Sequence, residues 1–148
     1  MRFHSIARAL LCAGWLVLST TGCWTSFWHV SETDGTLEDS MLTYSKLVRW
    51  GELERASLFV DESVRPEFIA ISDRLGYLRF TDFDLGPVDR SEDGSARVTA
   101  VYRVYDVRTL VERTIVEEQQ WDSEGHNDWK VRPDLSGFQS ALGMEPSG

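Results

Sequence analysis

The chain has 148 residues, 42% of them hydrophobic and 26% charged, with 15 basic against 24 acidic side chains and a net charge of −9. That composition belongs to a globular protein with one core, not to a disordered chain. The acidic balance excludes the basic footprint of a nucleic-acid-binding protein, so no nucleic acid is expected as a partner.

The N-terminal segment reads as an address. Arg2 and Arg8 precede an apolar run over residues 9–18 (ALLCAGWLVL), and Ser19-Thr20-Thr21-Gly22 leads into Cys23. At 1.5 Å per residue the run makes a helix of roughly 15 Å, half of a bilayer core of about 30 Å, so it does not span. Positive start, short apolar run and small residues are the order of a secretory signal peptide. Gly22-Cys23 further resembles the processing site of bacterial lipoproteins, although Thr20 stands where that pattern usually has Leu. The resemblance implies a signal peptide at 1–22, lipid on Cys23, and a lipidated tether at 23–36. The alternative is a secreted protein cut near Gly22 with a free thiol. Cys12 would leave with the leader, so acylation of Cys23 would leave no thiol and no disulfide in the processed chain. Trp24, where Asp would retain such a protein in the inner membrane, implies the outer membrane, facing the periplasm.

Loss of Arg2 and Arg8 leaves thirteen basic residues against all twenty-four acids, a net charge of −11. Membrane association would then rest on the acyl chains rather than on attraction to anionic lipid. The aromatic stretch 24–30 (WTSFWHV) either reinforces that anchor at the interface or folds back onto the core.

After the polar linker 31–36 (SETDGT), Thr36 is a candidate N-cap. Leu37, Met41, Tyr44 and Val48 then mark the buried stripe of a helix that Leu42 and Leu47 widen and that ends at Trp50-Gly51. A second helix is predicted over 52–60, presenting Leu53, Ala56, Phe59 and Val60. A third begins at Pro66 and carries Phe68, Ile69, Ile71 and Leu75.

Alternation takes over from Tyr77 onward. Residues 77–83, 97–105, 110–121 and 129–131 read as four strands, with turns at Gly86-Pro87, 91–95 (SEDGS) and 122–128 (DSEGHND). From Leu135 the chain is rich in Gly, Ser and Pro, and residues 136–148 are expected to form a flexible tail. Helices followed by hairpin-linked strands predict an α+β domain over 37–135, with N-terminal helices packed on a curled antiparallel sheet of about four strands. This order, with a closing hairpin of Trp121, Gly125 and Trp129-Lys130-Val131, resembles the nuclear transport factor 2-like (cystatin-like) fold. The segment 44–61 (YSKLVRWGELERASLFVD) resembles uncharacterised proteobacterial lipoproteins of that shape.

Chemistry-bearing patterns are sparse. His29 and His126 have no partner at metal-ligand spacing, and the acidic turn 122–128 has the wrong glycine and glutamate positions for a calcium loop, so no metal or cofactor is expected. Asp82 and Asp84, two apart on a strand, share a face. Burial beside Tyr44, Tyr102 or Tyr105 would suit one of them to general-base work, but a strand running into a wet turn is the simpler reading. Arg97, Arg103, Arg108 and Arg113 are expected to form cross-strand ion pairs. Residues 117–120 (EEQQ) are expected on an exposed stretch of strand. By resemblance to the fold, Trp50, Phe59, Phe80, Tyr102 and Trp121 would line a cone-shaped cavity. The simpler reading is that they fill the core, and catalytic residues are not assigned.

The expected function is therefore a lipid-anchored, non-enzymatic module of the cell envelope that binds a protein partner or a small ligand. An isomerase- or hydratase-like enzyme using the cavity, and a dimeric structural module, are the alternatives.

Overall fold

A computed structural model of the chain describes residues 36–125 and 128–144. The leader, Cys23, the aromatic stretch, His29 and His126 lie outside these residues.

Helix α1 spans Leu37–Trp50. Thr36 caps it as the sequence predicts, its hydroxyl accepting the Asp39 N–H at 3.2 Å. Gly51 ends it at φ 72°, a left-handed conformation that glycine adopts without a side-chain penalty. Leu37, Met41, Tyr44, Leu47 and Val48 are buried, whereas Leu42 turns partly outward. The predicted second helix is shorter than its pattern suggests: α2 covers Leu53–Ala56 and tightens into a 3₁₀ turn at Ser57–Phe59. Helix α3 spans Arg65–Ser72 with Pro66 in its first turn, and a 3₁₀ turn at Leu75–Tyr77 leads into the sheet.

The sheet is antiparallel with five strands: β1 Leu78–Leu85, β2 Asp89–Arg90, β3 Ala96–Asp106, β4 Glu112–Gly125 and β5 Asp128–Pro133. Its order is β1-β3-β4-β5, with β2 also on β3. β1 and β2 lie along the same edge of β3, so they are one ladder interrupted. Pro87 has no N–H to give at the break, while Gly86 donates to Thr99 at 2.9 Å. Four strands were legible in the sequence, and the fifth is this two-residue continuation.

The described chain does not end in a loose tail. Helix α4 spans Ser136–Ala141, with Leu135 and Phe138 buried. It exists because β5 pairs only with Gln119–Gly125, leaving the earlier half of β4 with an open edge. Asp134 N–H bonds the Glu118 carbonyl at 2.7 Å, and the chain then turns along that edge. Gly137 lies so close that a β-carbon there would overlap the Val116 carbonyl oxygen. On the far side of β5, Val60 forms a parallel bridge to Val131. Both edges at this side of the sheet are thus covered. Among the described residues, no helix is long and apolar enough to cross a membrane.

Candidate functional site

Strand β4 decides the interior. Ile115 and Trp121 point inward, and a period of two places Glu117 and Gln119 between them. Both are buried, 0% and 1% exposed, so the expectation of an exposed EEQQ stretch fails for its alternate members. Only Glu118 is fully exposed, and Gln120 is half-buried. The opposite residues on β3 make room for these large side chains: Ala100 faces Glu117, Val98 faces Gln119 and Ala96 faces Trp121.

The Glu117 carboxylate is the hub of a hydrogen-bonded cluster. Tyr44 O–H on α1 donates to Oε1 at 2.8 Å, and Tyr102 O–H on β3 donates to Oε2 at 3.2 Å. Gln119 Nε2 donates to Oε2 at 2.6 Å, while Gln119 Oε1 accepts the Trp121 indole N–H at 3.0 Å. Aromatic rings enclose the cluster. Trp121 meets Tyr44 edge-on at 5.8 Å, and Tyr102 packs against Phe80 at 5.8 Å and Phe138 at 6.1 Å.

Burial penalises the Glu117 anion more than its three donors stabilise it, and its pKa rises to about 7. Both phenols move above their ordinary range, first through burial and then through the Glu117 charge. Chemically, this is a carboxyl able to hold or release a proton near neutral pH. No arginine or lysine neutralises it among its hydrogen-bond partners.

The residues proposed to line a cavity separate into three groups. Tyr102 and Trp121 are fully buried within the cluster. Phe59 and Phe80 are half-buried and pack against the core, with Phe80 also facing a surface cleft of about 490 Å³. Trp50 is 68% exposed: it is the last residue of α1, beyond the buried stripe, and its ring lies under the Arg49 guanidinium at 4.4 Å. Other surface clefts of about 500 and 550 Å³ are lined by residues of β2 to β5, Pro87, the segment after β5 and α4; the first reaches Gln119, and neither reaches Glu117 or Trp121.

Asp82 and Asp84 share a face as predicted, but it is the outer one. The register slips between Phe80 and Asp82, leaving Thr81 in a bulge whose carbonyl accepts from Arg49 at 2.8 Å. The slip brings Phe80 and Phe83 both against Tyr102 and turns the carboxylates outward, where each meets Arg103 at 2.6 Å. More than half of each aspartate side chain is exposed, so the condition for general-base work is not met. Arg103 thus makes the expected cross-strand pair. Arg108 instead grips Asp106 of its own turn at 2.8 Å, and Arg113 donates to the Ala141 carbonyl at 3.0 Å. Residues 122–125 of the expected acidic turn instead continue β4, where Asp122 pairs with Arg132 of β5, and no metal-binding cluster occurs among the described residues.

No protein-family model matches the chain, and no curated protein shows significant similarity to it.

Proposed function

We propose that this is a lipid-anchored protein of the bacterial cell envelope, facing the periplasm, whose nuclear transport factor 2-like domain binds a partner or ligand at its surface and is not an enzyme. The anchor is supported by the order of leader, small residues and Cys23. The fold assignment is supported by a helical layer followed by an antiparallel sheet built on one long hairpin, β3–β4. The observation that carries the surface-binding reading is the filled interior. Tyr44, Tyr102, Glu117, Trp121 and Phe138 occupy the space between helices and sheet where a ligand cavity would have to open.

Mass spectrometry of the N-terminal peptide from the membrane fraction tests the anchor. The expected species begins at Cys23 and carries acyl chains; an unmodified Cys23, or a cut elsewhere, overturns it.

One observation favours the second reading, an isomerase- or hydratase-like enzyme. A carboxyl with a pKa of about 7 between two tyrosines is equipment for proton transfer. That reading requires the interior to open to a substrate, and the closure around Glu117 counts against it.

A further inference from the structure

The turn joining β3 to β4 is apolar where turns are usually polar. Val107, Leu110 and Val111 are 41%, 75% and 50% exposed, three aliphatic side chains on one hairpin tip. Leu110 has a positive φ of 56° among the described residues, a conformation suited to glycine or asparagine, and its side chain gains almost no burial in return.

The tip is also braced. The buried Asp106 carboxylate accepts from the Arg108 backbone N–H at 2.8 Å and from its guanidinium at 2.8 and 3.1 Å. That guanidinium lies 3.7 Å from the centre of the Tyr77 ring. The Leu110 and Thr109 N–H groups both bond the Asp106 carbonyl. A rigid turn therefore holds its aliphatic residues out toward water.

Charge is distributed unevenly about this tip. Arg74, Arg79, Arg108 and Arg113 gather at this end of the sheet against Asp73, Asp106, Glu112 and, across the adjoining cleft, Glu54. Elsewhere among the described residues, seventeen acids face nine bases. Among the described residues, the hydrogen-bond partners of Arg79 and Arg113 are backbone carbonyls, which do not neutralise their positive charge. Of the acidic remainder, Asp82 and Asp84 lie nearest on β1 and are both paired with Arg103, and others stand at the far end of β3. β3 starts at Ala96 beside β2, where Arg90 pairs with Glu38 of α1, and runs eleven residues to the tip, roughly 33 Å and several Debye lengths away.

We infer that the β3–β4 tip docks on a phospholipid bilayer, with Val107, Leu110 and Val111 entering the headgroup–acyl boundary and the flanking arginines meeting lipid phosphates. A bilayer fits a convex aliphatic tip, because it needs no matching groove to cover it. The net charge of the whole chain conceals this end. The inference stands on the tip itself. It does not require the anchored reading.

The test places a cysteine carrying an environment-sensitive fluorophore at position 110 and, in a second protein, at exposed Leu58. Each labelled full-length protein is titrated with vesicles of phosphatidylethanolamine and phosphatidylglycerol. The expected result is a blue shift and quenching by lipid-borne quenchers at 110 but not at 58. Leu110→Asn, which suits the backbone and so keeps the fold, is expected to weaken the docking measured by a probe at position 111 on the order of tenfold. Equal responses at 110 and 58 would overturn the inference. A shift at 110 in whole envelopes but not on protein-free vesicles would also overturn it, in favour of a protein partner. The mass of the Cys23 peptide reads the anchor independently of either outcome.

Discussion

Glu117 is a buried carboxyl whose hydrogen-bond partners include no cation. Its pKa is about 7 in the folded protein against an ordinary 4.5, so the folded state binds the proton more tightly than the unfolded chain. The corresponding stability is fully present below pH 4.5 and is lost as the pH rises through 7, a fall of about 3 kcal/mol. Asp106, held down to about 2 first by the hydrogen bond from Arg108, has the opposite sign: its contribution is present above pH 3.8 and lost on acidification through 2. Denaturant unfolding should therefore show greatest stability near pH 4–5. Glu117→Gln should flatten the decline between pH 4.5 and 7 while leaving the acid limb in place; an unchanged decline would contradict this. Leu110 is a second residue-scale demand. Leu110→Asn should raise unfolding stability by roughly 0.5–1 kcal/mol, because it removes left-handed strain without losing packing. The sequence contained the signal for Glu117: Ile115 and Trp121 are six apart, and counting by two between them places 117 and 119 inside. The polar run EEQQ obscured it, because four consecutive polar residues suggest solvent until the facing Ala96, Val98 and Ala100 are seen to leave room.

At the level of elements, helix caps and alternation were readable, and the places where the sheet departs from regularity were not. Thr36 and Gly51 announce both ends of α1 through side-chain oxygen and backbone freedom. The bulge at Thr81 has no comparable local signature. It is favoured by contacts distant in sequence, Arg49 on its carbonyl and Tyr102 between Phe80 and Phe83, and it decides which way Asp82 faces. Helix α4 was hidden for a similar reason. SGFQSA has little intrinsic helical drive, and its stability comes from covering the open edge of β4 and burying Phe138 against Tyr102. Gly137 permits that contact. Gly137→Ala should destabilise the protein by about 1–3 kcal/mol despite alanine's higher helix propensity, since a strand carbonyl cannot move aside as a flexible side chain would. Thermal unfolding checks this, and an unchanged or raised Tm would mean that α4 does not seal the edge.

For the whole molecule, the decisive property is closure. Helices on one face of the sheet, α4 along the open edge of β4 and a ring of aromatics around one carboxyl leave the candidate lining residues Tyr102 and Trp121 without contact with water. The fold class was legible because helices and strands fall in separate blocks of the chain. Whether the enclosed space is open or filled was not, since that depends on side chains from α1, β3, β4 and α4 meeting at one point. The Glu117 carboxyl reports on that point directly. Nuclear magnetic resonance titration of its side-chain carbonyl carbon, assigned against Glu117→Gln, should give a midpoint near 7 if the interior is closed. A midpoint near the ordinary 4.5 would mean that water reaches the carboxyl, contradict the filled interior, and return the binding site to the space beneath the sheet.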